Sequence, residues 1–227
     1  MKLRTPMKFS EKTINILKNF ATINNSILVK KGNRLRTISP MKNILAEVDI
    51  EEEMPKDFAI YDLGQFLNTI YLLDTPEFDF SNDNYVLIKE NKSKFKYFYA
   101  DSNLIICPPE KELVLPSKDV CFQLEKEQLN QLLKAADVLG LQDLSAVGEN
   151  GSVNLIVRDK NNSTSNDYCI TVGTTDKVFT CNFKRENIKI IPGSYDVVIS
   201  SKQLSCFTNK QYNLDYYIAL EPDSTFG

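Results

Sequence analysis

Two spacings of apolar residues alternate along this chain, one near 2 and one near 3.6, and together they predict a short strand, a helix and three strands, four times over. The first unit opens at Met7 with MKF, passes into SEKTINILKNFATI, and predicts strands near 26–30, 34–38 and 44–50. KKGN joins the first two strands, with Gly32 free to take a positive φ. The second opens at Phe58 with FAIYD, enters LGQFLNTIYLL, and predicts strands near 77–80, 85–89 and 94–99. Leu63, Phe66, Leu67 and Ile70 form the stripe of a helix lying on a sheet, Asp62 with Gln65 reads as its N-terminal cap, and Pro76 forbids continuation.

The third unit opens at Cys121 with CFQLE, followed by the helix KEQLNQLLKAADVL, whose Leu129, Leu132, Leu133 and Ala136 repeat the stripe, and by strands near 143–148, 152–158 and 167–173. Asn150-Gly151 marks the hairpin between the first two. The fourth opens at Phe179 with FTCNF, predicts a short basic helix over 184–191, stops at Pro192-Gly193, and gives strands near 194–200, 204–208 and 215–220. Between the second and third units lies CPPEKELVLPSKD, residues 107–119, whose three prolines mark an extended connector. The fold class is therefore α+β, with an N-terminal domain over 1–110, the connector over 107–119 and a C-terminal domain over 120–227, each domain holding two βαβββ units.

Charge sharpens this picture, because the net −3 is unevenly spread. Counted over residues 10–22, 63–73, 126–136 and 184–191, the predicted helical segments carry +1 (Lys12 and Lys18 against Glu11), 0, +1 (Lys126 and Lys134 against Glu127) and +2 (Lys184, Arg185 and Lys189 against Glu186), leaving −7 elsewhere. A helix must bury its apolar stripe on its own sheet, so the polar stripes face one way. They comprise Lys12, Asn15, Lys18 and Asn19; Gln65 and Asn68; Asn130 and Lys134; Arg185 and Lys189. Such a basic and amide surface can neutralise phosphates without reading bases. The acidic run Glu51–Glu53 with Asp57, beside Pro55, reads as a solvated charge cluster in a connector.

Other chemistry is thinly represented. The chain has no histidine, which removes the commonest general base and the usual zinc ligand. Five cysteines without a CxxC pair read as reduced thiols and no metal site, pointing to cytosol. No stretch approaches a membrane span, and MKLRTPMKF runs into polar SEKT rather than the apolar run of a signal peptide. A carboxylate-dependent enzyme finds no paired acids at strand ends and no glycine-rich phosphate loop among only eight glycines. No cofactor is expected. A monomeric single-strand binder stacking bases on tyrosine and phenylalanine is the alternative, and the placement of aromatics at inward positions argues against it.

Four βαβββ units in two domains, with LKNFATIN (17–24), AIYDLGQFL (59–67), KIIPGSY (189–195) and the terminal YYIALEPDST (216–225), resemble the DNA sliding clamps, and in particular the clamp of T-even-type bacteriophages, the processivity factor of their DNA polymerase. The resemblance runs from Met7 onward; the leading MKLRTP departs from it and reads as a basic arm or the product of an upstream start codon. It implies the sliding-clamp fold, a homotrimeric ring around double-stranded DNA with helices inside and sheets outside, and a tether without catalytic activity. It implies as partners the phage DNA polymerase, an ATP-dependent clamp loader and the transcription machinery, and as location the cytoplasm of the infected bacterial host. The DNA-facing residues are then Lys12, Lys18, Lys126, Lys134, Lys184, Arg185 and Lys189. Closing a ring requires sheet edges to meet. KFKYFY (94–99), with Phe95, Tyr97 and Tyr99 on one face, is expected to meet DYCITV (167–172), with Tyr168 and Ile170, of a neighbouring copy, although these aromatics can equally pack their own domain's core. Leu113, Val114 and Leu115 of the connector are the candidates to border a pocket for partner peptides.

Overall fold

Ser10 starts the first helix because its Oγ accepts the Thr13 amide, while Glu52, far along the chain, accepts the Thr13 hydroxyl at 2.6 Å and the Ser10 amide. The computed structural model describes residues 7–227; the MKLRTP arm lies outside the described residues. The chain divides into two units, the first ending at Glu110 and the second running from Lys111 to Gly227.

In the first unit, α1 (Glu11–Ile23) leads to β1 (Ile27–Val29), β2 (Gly32–Ile38) and β3 (Ile44–Met54), then β4 (Phe58–Ile60), α2 (Leu63–Ile70), β5 (Glu77–Asp79), β6 (Tyr85–Glu90) and β7 (Ser93–Phe98). β1 pairs with β4, β2 pairs with β3, and β5-β6-β7 form an antiparallel sheet. Ile16, Leu17, Phe20 and Ile23 of α1 and Leu63, Phe66, Leu67 and Ile70 of α2 are buried, the 3.6-period stripe fulfilling its expected role. Gly32 sits at φ 111°, but the hairpin expected at KKGN does not form: β1 and β2 belong to different sheets, and the turn at Gly32 carries the chain from one to the other. The opening MKF makes a bridge, Met7 to Phe78, rather than a full strand.

The acidic run is a correction: Glu51–Glu53 are not in a connector but extend β3 to Met54. Glu52 has a defined role there. Burial pushes its carboxyl up, but the Thr13 hydroxyl and the Ser10 amide outweigh burial and hold it below the usual value.

In the second unit, β8 (Val120–Leu124) leads to α3 (Lys126–Leu139), β9 (Asp143–Glu149), β10 (Ser152–Arg158), β11 (Tyr168–Thr174), β12 (Phe179–Lys184), β13 (Tyr195–Ser200), β14 (Leu204–Asn209), β15 (Leu214–Ala219) and β16 (Thr225–Phe226). One antiparallel sheet runs β11-β10-β9-β12-β16; β15, β14, β13 and β8 are neighbours in the other. α3 opens with a capping box between Glu125 and Gln128, ends at Gly140 with φ 66°, and buries Leu129, Leu132 and Ala136. The short strand β16, unforeseen in the sequence, adds to the outer edge of β12.

The predicted fourth helix does not form. Residues 185–187 make a single 3-10 turn and the chain then runs irregularly to Tyr195. Pro192 supplies no N–H to close a helical turn and disfavours helical backbone at Ile191. Ile188, Ile190 and Ile191 are buried instead. Two tyrosines replace the missing backbone partners: the Ile191 amide donates to the Tyr216 hydroxyl at 3.2 Å, and the Tyr195 hydroxyl donates to the Ile191 carbonyl.

Candidate nucleic-acid interface

The outward stripe of α1 follows from its inward one. With Ile16, Leu17 and Phe20 buried, Asn15 and Lys18 are exposed and Lys12 is half-buried. α2 lies beside α1, and Lys18 Nζ stands 4.4 Å above the ring of Tyr71, just past the end of α2. Gln65 and Asn68 are the exposed amides of α2. Asp62 caps that helix by accepting the Gln65 amide at 2.7 Å. On α3, Lys126, Asn130 and Lys134 are exposed. Because α3 runs on to Leu139, it also includes Asp137 and its formal charge is zero, so the three helices together carry +1 rather than the +4 read from four segments.

Lys184 and Arg185, two of the expected DNA-facing residues, each carry an ion pair within their own unit. Lys184 ends strand β12, and its Nζ lies 2.7 Å from Asp143, a carboxylate only 3 % exposed that also accepts the Lys160 amide at 3.2 Å. The hydrogen bond to Asp143, against the opposing effect of burial, raises the Lys184 ammonium above its ordinary value. Arg185 pairs with Asp137 at 3.1 Å. Both cations are therefore committed to carboxylates of their own unit. Lys189 is half-buried in the irregular segment after the turn. The cations carried on the helices themselves are Lys12, Lys18, Lys126 and Lys134.

Most of the phenylalanines a single-strand binder would need are turned inward, while Tyr61, Tyr71 and Phe98 stay exposed and lie apart along the chain. Phe9, Phe58, Phe66, Phe78 and Phe80 form one cluster, with ring centroids from 4.3 Å apart between Phe9 and Phe78 to 6.5 Å between Phe66 and Phe78.

Strands β7 and β11 each lie at the end of a sheet, with one long edge unpaired within the chain. Both are backed by a helix in the same manner. The Tyr97 hydroxyl donates to the Asp62 carbonyl at 2.9 Å and lies 3.2 Å from Gln65 Oε1 of α2; the Tyr168 hydroxyl donates to Gln131 Oε1 of α3 at 3.3 Å. Burial, then the Asp62 charge, pushes the Tyr97 phenol up. Phe95 and Ile170 are half-buried. Tyr99 turns to its own unit, its ring 5.4 Å from Phe58 and beneath Lys56 Nζ. Thus the aromatic face of β7 packs its own domain, while its backbone edge stays open.

The connector is tied at both ends. The Asn24 amide donates to the Ile106 carbonyl at 3.3 Å and Arg36 to the Pro109 carbonyl at 2.8 Å. Downstream, Asp119 accepts from the Ser117 hydroxyl at 2.5 Å and the Ser201 amide at 2.7 Å, and these two bonds hold its carboxyl down at about 2. Between these ties, Val114 is 75 % exposed and Leu113 and Leu115 are half-buried. The clefts found among the described residues are lined by other segments. No sequence signal announced the Asp119 tie, since beside the neighbouring Ser117 it depends on Ser201, 82 residues away.

Among the described residues, no three histidine, cysteine or acidic side chains are grouped to hold a metal ion, and no helix is long and apolar enough to cross a membrane.

Comparison with known proteins accounts for nearly the whole chain. Residues 8–107 match the family described as DNA polymerase processivity factor, and residues 121–222 match the family described as gp45 sliding clamp, C terminal. The sliding clamp of Vibrio phage KVP40 is 35 % identical over 221 residues, covering 95 % of this chain and 99 % of the relative. That of Enterobacteria phage T4 is 30 % identical over 226 residues, covering 96 % and 99 %. Among solved structures, the proliferating cellular nuclear antigen of Entamoeba histolytica superposes with a TM-score of 0.71 at 17 % identity, covering 94 % of this chain and 97 % of that one, a likeness of fold. Two units of sheets and helices, outward lysines on those helices and an open strand edge in each unit thus meet a full-length sequence match, and the chain belongs to the sliding clamps of T-even-type bacteriophages, as a DNA polymerase processivity factor.

Proposed function

We propose that three copies of this chain close head to tail into a ring that encircles duplex DNA and holds the phage DNA polymerase on it. The observation that carries this reading is the pair of open strand edges, β7 in the first unit and β11 in the second, each braced from behind by a tyrosine–glutamine bond to a helix. An unpaired edge invites another strand. Two different edges on one chain make a heterologous contact, which generates a closed ring when the rotation closes. Phe95, Tyr97, Tyr168 and Ile170 flank that seam, with Tyr99 behind it.

In this ring, Lys12, Lys18, Lys126, Lys134 and Lys189 face the DNA. The modest helix charge suits the task, since a sequence-blind lining that binds weakly lets the ring slide, whereas topology prevents escape. The protein works as a tether without catalysis and without a cofactor. Polymerase and an ATP-dependent clamp loader dock peptides beside Leu113, Val114 and Leu115 of the tied connector, the transcription machinery is a further partner, and the ring acts in the cytoplasm of the infected bacterium.

Retention after loading on nicked circular DNA, compared with free-ended linear DNA, tests the encircling mechanism. Survival of high-salt washing on the circle and loss from the linear form is the expected result. Equal retention on both overturns it.

A further inference from the structure

The two open edges carry opposite charge. From Lys92 to Phe98, at and along β7, the chain places Lys92, Lys94 and Lys96 with no acid among them, all three exposed. From Asn166 to Asp176, along β11, it places Asp167 and Asp176 with no base among them, both exposed. Alternation puts Lys94 and Lys96 on the face of β7 away from α2, because Tyr97 on the opposite face bonds to Gln65. Lys92 and Lys94 make no ion pair among the described residues, and neither does Asp167 or Asp176. Lys96 lies over the ring of Tyr85, with Nζ 5.2 Å from its centroid.

We infer that the lysine row of β7 and the carboxylates bracketing β11 form an electrostatic latch between neighbouring copies of this chain, which sets how readily the ring opens and makes opening salt-sensitive. The inference rests on the head-to-tail reading above and adds to it what controls closure. Asp167 precedes β11 and Asp176 follows it, so a lysine row laid along that strand meets a carboxylate at one end whichever direction the strands run. Long lysine side chains on an exposed seam gain little from any one pair. Their collective value lies in guiding the edges together and rejecting a like-charged edge, since juxtaposed like charges are costly. A β7 edge cannot close on another β7 edge, nor β11 on β11, so the same charges enforce head-to-tail order. Because the screening length falls from about 10 Å at 0.1 M salt to about 3 Å at 1 M, closure weakens as salt rises.

The test is the mass of the purified full chain by light scattering across a concentration series, in low and high salt, for four proteins: wild type, Lys92→Glu/Lys94→Glu, Asp167→Lys/Asp176→Lys, and the chain carrying all four changes. The latch predicts self-association at least about tenfold weaker in high salt for wild type and in low salt for each double variant, with recovery in the fourfold variant, where every seam again joins opposite charges. The wild-type salt series needs no variant to fold. A wild type that stays monomeric at micromolar concentration in low salt overturns the ring reading itself. A wild-type trimer indifferent to salt, double variants that assemble like wild type, or a fourfold variant no better than the doubles overturns the latch and leaves the ring standing.

Discussion

Replacing Lys184 with methionine separates two accounts of one residue. As a cation read from the sequence it faces DNA; in the fold it ends β12 and neutralises Asp143, which is 3 % exposed. Methionine keeps an unbranched apolar stem as far as Cε and deletes the charge 2.7 Å from the carboxylate. Breaking a buried pair by removing one partner costs about 3–5 kcal/mol. Here the Lys160 amide still donates to Asp143 and Lys184 is itself 31 % exposed, so about 2–4 kcal/mol is expected. With a urea slope near 2 kcal/mol per molar, the unfolding midpoint of the second unit falls by roughly 1–2 M. Urea titration followed by hydrogen exchange at β9 and β12 measures this. Adding Asp143→Leu to Lys184→Met removes the stranded charge and restores most of the loss, because an apolar pair of similar volume can replace a buried ion pair. The Lys184 ammonium is raised in the fold, so its contribution is complete below the ordinary value of 10.5 and disappears only as pH climbs through the raised one. The wild-type advantage should thus be flat across neutral pH. A midpoint unmoved by Lys184→Met, together with faster loss from circular DNA, would refute the structural account and return Lys184 to the DNA-facing surface.

Lys18→Gln with Lys134→Gln leaves assembly unchanged by light scattering and shortens processive synthesis, each lost phosphate contact lowering the salt slope of DNA binding by about 0.9; a chain that no longer assembles would show that these lysines face a subunit seam. Asp119→Asn keeps the fold but loosens the downstream tie, so amides of residues 110–119 exchange faster. Since the Asp119 carboxyl is held down at about 2, the wild-type tie is present above its ordinary value of 3.8 and is lost as pH falls through about 2; equal exchange in the two proteins at neutral pH would remove Asp119 as the anchor. Gly148→Ala drives a Cβ to 2.7 Å from the Lys177 carbonyl and 2.3 Å from the Phe179 ring, and calorimetry should register a loss of about 1–3 kcal/mol; an unchanged melting curve would mean that the β9–β12 crossing yields at no cost.

Much of this molecule is written in local pattern. The stripes Ile16-Phe20, Phe66-Ile70 and Leu129-Ala136 identify three helices because a helix on a sheet repeats its buried positions every three to four residues, and that requirement is local. Asn150-Gly151 marks its hairpin for the same reason: the turn needs positive φ at neighbouring positions, and both residues have it. The segments resembling T-even clamps carried the fold and function together, and the full-length match upholds them. The fourth helix was misread because the basic cluster Lys184, Arg185 and Lys189 ahead of the Pro192-Gly193 stop reads as a short helix, whereas Ile188, Ile190 and Ile191, all buried, do not fall on one helical face.

Charge placement belonged to the tertiary structure. Formal charge is additive along a sequence, but whether a cation is available to a phosphate depends on which carboxylate the fold brings to it, and Asp143 and Asp137 lie some forty-eight or fewer residues from the cations they neutralise. The carboxylates of Glu52, in β3, and Asp119, just before β8, are likewise taken up by partners far along the chain, Ser10 with Thr13 at the start of α1 and Ser201 after β13. Periodicity fixed which way each side chain points, since that is a property of the backbone repeat; long-range pairing decided which charges and which strand edges were left for another molecule, because only the folded chain determines which partners are already taken.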